Sequence, residues 1–398
     1  MESIEIHSMD GREVSVSRST LITYSRRIKV MLEPFSNDIP ITFYLPYAYE
    51  NVQMIDEFMK RKSPKFHSLR HAIDVYRSSI RLGMRDLSKY CRIYMIQPYQ
   101  ILNVCTIYEF ACVNREYDLQ FYCWKKFSNY WNEVFFQNKR ALDCDEIVIH
   151  RLVSRPMYRT LDEMTIYRIV YEWARRRVNS KTSLRQVMAP FLPNIRFLTM
   201  DDGFLNCYVY PEQFLREKEV NAIQYYKATS DSSYIPDSIC SRDVLRRNEK
   251  LISWYIYCNR RSCILDKVLD MNNKFQFISK IWVKEDCFLI GIKLPISHNS
   301  EVGIRVKVKN FIDCDSWKTQ QTTCDQNGNV KLNRVIYVQK SSVGLLIAKI
   351  NEDDIAQSDI RVSNLASRYV RDDINSREET VALSNLIEYV YCNVNLYF

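Results

Sequence analysis

The residues best equipped for chemistry are few and scattered. The chain holds five histidines and 13 cysteines in 398 residues. His67 and His71 stand four apart, a spacing that on a helix puts two imidazoles on one face and could hold a metal ion. No cysteine or carboxylate completes a recognisable ligand set with them, so the expected reading is an exposed helical pair without a metal. Cys258 with Cys263, and Cys314 with Cys324, lack the tight pairing of zinc ribbons and read as core or surface thiols. Asp201-Asp202 is an adjacent carboxylate pair, but helix initiation ahead of Gly203-Phe204-Leu205 accounts for it. Phe121-Tyr122-Cys123-Trp124-Lys125-Lys126-Phe127 mixes rings with cations, as a single-strand nucleic-acid platform would. Its spacing, however, turns most rings to one buried helical face. The 7 glycines leave little room for loops that cradle phosphate, and neither a phosphate loop nor a dinucleotide fingerprint is present. No catalytic residue, metal ligand or cofactor site is predicted, and an enzyme is not expected.

The bulk composition sets the frame that must position whatever does act. Hydrophobic residues make up 46% and aromatics 13%, enough for several cores, and the length suits two to four domains. The net charge of +9 is interspersed along the chain, which predicts a slightly basic surface. The densest run, Arg175-Arg176-Arg177, falls at a predicted helix C-terminus, where cations complement the helix dipole. The odd cysteine count without framework spacing predicts reduced thiols. The opening residues read as no signal segment, and no run of about 18 apolar residues exists to span a bilayer. The expectation is a cytoplasmic protein, with the nucleus as a second compartment. Neither membrane nor nucleic acid is an expected partner.

Three zones follow one another. In the first, 1–91, Ile4-Glu5-Ile6-His7 and Glu13-Val14-Ser15-Val16-Ser17 alternate around Asp10-Gly11, a hairpin signal. A helical pair through Leu21, Ile28 and Leu32, a strand at 41–45, a helix over 51–60 and a helical pair at 73–90 complete it. This order resembles the BTB/POZ fold, in Asp10-Gly11-Arg12-Glu13-Val14, in Ile28-Lys29-Val30-Met31-Leu32-Glu33, and in Arg81-Leu82-Gly83-Met84-Arg85-Asp86-Leu87. The start looks closest to the cullin-linker branch that includes elongin C.

The second zone, 92–227, is helical by spacing. Asp143 with Glu146, and Thr160 with Glu163, fit N-cap signals. Leu142-Asp143-Cys144-Asp145-Glu146-Ile147-Val148, Val170-Tyr171-Glu172-Trp173-Ala174 and Phe191-Leu192-Pro193-Asn194-Ile195-Arg196-Phe197-Leu198-Thr199-Met200 resemble the BACK domain. A small, polar, proline-containing stretch at 228–238 reads as a linker. The third zone, 239–398, alternates in short runs: 274–278, 287–294, 302–308, 330–338 after Asn327-Gly328-Asn329, 343–350 and 386–394. The run 277–294 resembles the PHR domain; a MATH-like sandwich is the alternative.

These readings predict a multidomain α+β protein. It has an N-terminal BTB/POZ-like α/β domain, a central all-α BACK-like domain and a C-terminal antiparallel β-sandwich of jelly-roll type. The resemblance implies a substrate adaptor of a cullin-based ubiquitin ligase. A cullin scaffold would bind the first two domains, and an unidentified protein substrate would bind 239–398 and be held near the ubiquitin-loaded enzyme. In cullin-binding BTB domains the loop after the second helix carries a hydrophobic residue, any residue, then glutamate. The matching place reads Phe35-Ser36-Asn37, the candidate cullin-contact loop, with Asn37 where the family has the acid. Met31-Leu32-Glu33 has the right letters but falls on the helix. The alternative is a BTB scaffold in cytoskeletal or transcriptional control, without ligase function, homodimeric through the segment 4–32.

Overall fold

The structure is a computed structural model. It describes residues 3–34, 42–60, 65–138, 140–155, 158, 160–246, 253–256, 276–282, 286–294, 296–310, 318–339, 343–351, 361–362 and 392–397. Phe35, Ser36, Asn37, Cys258, Cys263 and Cys314 lie outside the described residues, as does 386–391 of the last expected strand. In order, the chain forms an N-terminal α/β part, a central all-α part and a C-terminal antiparallel sheet. By contacts it divides into two compact units, Met1–Val148 and Ile149–Phe398.

The first unit opens with β1 (Ser3–His7) and β2 (Glu13–Ser17), paired antiparallel with Ile6 opposite Val14. Gly11 makes the turn at φ +76°, in the left-handed region that glycine enters without a Cβ clash. Alternation sends Ile4, Ile6 and Val16 into the core. Then come α1 (Arg18–Tyr24), α2 (Arg26–Leu32) and β3 (Thr42–Tyr44), which adds parallel to β1 for a sheet order β2-β1-β3. α3 (Tyr49–Met59), α4 (Leu69–Leu82) and α5 (Arg85–Met95) follow, then α6 (Val104–Val113) and α7 (Tyr117–Asn129). Three elements meet at the carboxylate of Glu116. Tyr76 of α4 donates its hydroxyl to Oε1, and Arg92 of α5 lies 3.2 Å from Oε2.

The second unit takes in most of α8 (Glu146–Ser154), then α9 (Glu163–Arg175), α10 (Leu184–Met188), the single turn α11 (Asp202–Phe204) and α12 (Glu217–Thr229). The two helix starts differ from the sequence expectation by two residues each. Asp145, not Asp143, accepts from the Ile147 N–H (2.9 Å), because Asp143 closes a 3-10 turn. Asp162, not Thr160, caps α9 by accepting from the Thr165 N–H (2.8 Å). That leaves the Glu163 carboxylate free of capping duty and available to the interior. α9 buries its apolar stripe fully: Trp173 meets Phe191 edge-on at 5.4 Å, and Tyr167 packs against Phe197, Phe204 and Phe214. Residues 191–200 thus supply much of this core, with Phe191, Leu192, Ile195 and Phe197 inaccessible to water.

Residues 239–246 lie against these helices. Ile239 and Cys240 are buried, and the Cys240 N–H donates to Leu192 O (3.1 Å). Arg246, on the same strap, lies inside the protein.

The C-terminal strands are β4 (Ser253–Ile256), β5 (Gln276–Trp282), β6 (Cys287–Lys293), β7 (Ile296–Ser297), β8 (Val302–Asn310), β9 (Lys318–Cys324), β10 (Asn329–Val338), β11 (Val343–Ile350), β12 (Arg361–Val362) and β13 (Cys392–Tyr397). Eight of them form one antiparallel sheet in the order β4-β13-β6-β10-β9-β8-β11-β5, and β7 with β12 makes a separate ribbon. The end strands β4 and β5 come into contact, so the sheet is rolled rather than flat. Val302, Ile304, Val306, Leu346, Ala348 and Ile350 fill the inner face. β10 carries a large bulge: Lys331 lies opposite Gly291, and the next ladder pair is Ile336 with Leu289.

β9 and β10 share the backbone pair Val330↔Cys324. Beyond it, side chains bridge them. Gln320 donates to Arg334 O (2.7 Å) and accepts from the Arg334 N–H (2.8 Å). Thr322 donates to Lys331 O (2.7 Å), and Asn333 donates to Gln321 O (2.6 Å). The hairpin tip is pinned by Asp325, whose carboxylate accepts from the N–H groups of Asn327 (2.9 Å) and Asn329 (2.8 Å).

Candidate partner-docking groove

The expected contact loop at 35–37 lies outside the described residues, but the helix that leads into it does not. α2 begins at Ser25, whose hydroxyl accepts from the Ile28 N–H (3.1 Å) and donates to Leu82 O at the end of α4. Gly83 closes α4 in the left-handed region at φ +70°, and Met84 N–H donates back to Ser79 O (2.8 Å). A Cβ on Gly83 would stand 3.2 Å from the Arg27 backbone nitrogen, so the missing side chain lets α2 press against this turn. Arg27 Nη1 donates to Arg81 O (3.1 Å) across the same contact. At the other end of α2, buried Arg18 donates to Leu32 O (2.9 Å), a cation at a helix C-terminus.

This bracing fixes which face of α2 looks outward. Ile28 and Leu32 are buried. Val30 (58% exposed), Met31 (47%) and, on α4, Ile80 (54%) are not. They line an open groove of about 620 Å³, with Met84 in its floor and Arg26, Arg27 and Arg85 around it. The two hydroxyls in the lining, Ser79 and Ser88, donate to the carbonyls of Tyr76 (2.6 Å) and Arg85 (2.8 Å), and an apolar strip under a cationic rim suits a protein surface. Met31 and Leu32 belong to α2 and Glu33 caps it, as the sequence pattern implied.

The other candidate residues take defined places. His67 precedes α4 rather than riding on it, because Ser68 is the N-cap. Its ring still stacks on His71 at 5.0 Å and 8°, beside a cleft of about 330 Å³ with Glu50 and Glu57. Burial and the neighbouring His67 hold the His71 imidazole below its ordinary pKa. Asp201 accepts from the Phe204 N–H (2.6 Å), the helix-initiating role expected of it. Trp124 and Phe127 are buried in α7, while Lys125 sits over Phe121 (4.4 Å) and Lys126 over Tyr130 (4.3 Å). Arg177 covers Trp173 at 3.9 Å. Cys91, Cys105, Cys123, Cys144, Cys240, Cys287 and Cys324 are buried thiols. Burial pushes the Cys91 and Cys287 thiols up to about 12, so they pack as hydrophobes.

Sequence reasoning missed one constellation. Glu5, His7 and Glu13 converge on the open face of β1 and β2, with His7 Nε2 3.6 Å from each carboxylate. Both signals were present: Glu5 and His7 alternate on one strand, and the hairpin sets His7 opposite Glu13. All three are at least partly exposed, which suits a surface ion-pair cluster.

No protein-family model matches the chain, and no curated protein matches it either. Its class is defined by architecture: a multidomain α+β protein with an N-terminal mixed sheet, a central helical bundle and a C-terminal rolled antiparallel sheet. Among the described residues no helix is long and apolar enough to cross a membrane.

Proposed function

We propose that the chain is a non-enzymatic adaptor. In this reading the N-terminal part is BTB/POZ-like, the central part BACK-like and the C-terminal part PHR-like. The first two engage a cullin scaffold, and the third holds a target protein for ubiquitination. The mechanism is proximity, which raises the effective concentration of the target near the ubiquitin-loaded enzyme. The observation that carries the reading is the groove of α2, α4 and α5. It presents Val30, Met31 and Ile80 to solvent, and α2 leads directly into Phe35-Ser36-Asn37, where the resemblance puts the scaffold contact.

The test is capture of a purified cullin scaffold by the full chain. Retention by the native chain and its loss in Met31→Asp/Ile80→Asp support the reading. No complex at about 10 µM, a weak-binding threshold, defeats it. Light scattering addresses the scaffold alternative. A mass of two chains that falls to one in the same variant would assign the groove to self-association instead.

A further inference from the structure

Arg26, Arg27, Arg81 and Arg85 are exposed cations, and among the described residues they take part in no ion pair. Glu33 and Asp86, the acids nearest to them in sequence, are not paired with them. The four gather at one turn. Arg27 packs on Gly83, and its Nη1 donates to Arg81 O (3.1 Å). Arg26 precedes Arg27, and Arg85 follows Gly83 by two residues. The exposed apolar side chains stand away from this turn. Val30 and Met31 lie one helical turn further along α2, and Ile80 one turn back along α4. The groove therefore has a cationic end without counter-charge and an apolar stretch beside it.

That pattern narrows the occupant. A second copy docked through the same groove would set guanidinium against guanidinium, because a two-fold contact joins a patch to itself. No ring lines the groove, so nucleic-acid bases have nothing to stack on. A bilayer is flat, whereas the groove is concave, with Met84 buried in its floor. Small-molecule sites enclose most of their ligand, and this one is open along a side. An amphipathic helix meets all of these conditions, since it lays its apolar face into a groove and keeps its polar face in water. Met31 and Met84 suit such a contact, because an unbranched thioether adapts to the side chain it meets. The seven residues of α2 make a wall about 10 Å long, or about two turns of an occupying helix.

We propose that the groove takes a short amphipathic helix from another protein, with apolar residues one turn apart and Asp or Glu at the end that meets the Gly83 turn. This rests on the reading of the groove as a docking surface, and not on the partner being a cullin.

The test is selection of displayed random peptides of about 15 residues, roughly four helical turns, on the full chain. Peptides that also bind Met31→Asp/Ile80→Asp are removed. Those that remain should carry apolar residues a turn apart and more Asp and Glu than Lys and Arg. The strongest, labelled for fluorescence anisotropy, should bind Arg26→Glu/Arg85→Glu about tenfold or more weakly, with an unchanged circular dichroism spectrum. Replacing its acids by Lys should reverse the preference, so that this variant binds it better than the native chain does. If the double variant does not fold, Arg26→Gln alone should weaken binding about threefold. No enriched peptide, enrichment without an acidic excess, or equal affinity in native chain and variant overturns the proposal. Native-chain binding to phosphatidylserine vesicles that Met31→Asp/Ile80→Asp abolishes also overturns it and gives the groove to a membrane. Acidic peptides bound by a chain that captures no cullin end the adaptor reading and leave this proposal standing. Cullin capture without acidic enrichment does the reverse.

Discussion

Glu163 and Arg246 form an ion pair at 2.6 Å although 83 residues separate them, and each is about 5% exposed or less. Glu163 opens α9, and Arg246 lies on the strap that starts at Ile239. The other carboxylate oxygen accepts from the Arg196 N–H (2.8 Å), and Arg246 also donates to the carbonyls of Arg155 and Asn194. Burial, with Arg246 beside it, pulls the Arg196 guanidinium down to about 10. Glu163 is thus the anion that makes a cationic interior tolerable.

Glu163→Gln should therefore cost about 3–5 kcal/mol, because it strands a buried guanidinium. Glu163→Gln/Arg246→Met should recover part of that loss. Urea unfolding followed by tryptophan fluorescence measures both, and a double variant no more stable than the single would show that the charge is not what matters.

The groove gives a prediction with the opposite signature. Met31 and Ile80 are exposed, so Met31→Asp and Ile80→Asp should change stability by less than about 1 kcal/mol. Each should weaken scaffold capture by about tenfold or more. Gly83→Ala should both destabilise the fold and weaken capture, because a Cβ there meets the Arg27 backbone and the φ is left-handed. Native-like binding by Gly83→Ala would show that the seating of α2 on the turn does not shape the groove.

Glu219 sets a pH dependence. Burial raises its pKa, but hydrogen bonds from Ser238, the Arg216 N–H and Arg185 outweigh this and hold it below the ordinary 4.5. Arg185 is bidentate, at 2.7 and 2.8 Å. A depressed carboxylate stabilises the fold above its unfolded pKa, and that contribution is lost as pH falls through the folded value. The native chain should lose stability from about pH 5 downward more steeply than Glu219→Gln, which starts lower. Parallel pH profiles of the unfolding midpoint would show that the carboxylate is not the titrating group.

Two glycines with similar backbone angles should respond differently to alanine. Gly11 (φ +76°) has nothing within 4 Å of a Cβ, so Gly11→Ala should cost about 1–2 kcal/mol from the left-handed conformation alone. Gly328 (φ +81°) would place a Cβ 2.2 Å from Leu294 O and 2.8 Å from Ile296 O. Gly328→Ala must displace the β9–β10 tip and should cost several times more. Equal shifts in melting temperature would contradict this contrast.

What the sequence made legible follows from where local signals decide. Asp10-Gly11 and Asn327-Gly328 announced their hairpins because the turn itself demands glycine. The strands β6, β8, β10 and β11 were legible from apolar runs. β9 was not, because Lys318-Thr319-Gln320-Gln321-Thr322-Thr323-Cys324 has no hydrophobic alternation, and its place in the sheet comes from its neighbours. The caps slipped by two residues because several acids and a threonine compete ahead of α8 and α9; a 3-10 turn takes Asp143, and the interior contacts take Glu163. The groove was missed as a shape, although its helix was named, since periodicity identifies the buried face and not what stands beside the exposed one.

The side-chain bridging of β9 to β10 has a last consequence. Amides and hydroxyls of Gln320, Thr322 and Asn333 hold together what a main-chain ladder holds elsewhere in the sheet. Side-chain bonds open at lower cost than a cooperative ladder, so a fluctuation here uncovers a raw strand edge on each side. Among the described ladder pairs of the rolled sheet this one is the thinnest, and so the one most open to strand exchange with another molecule.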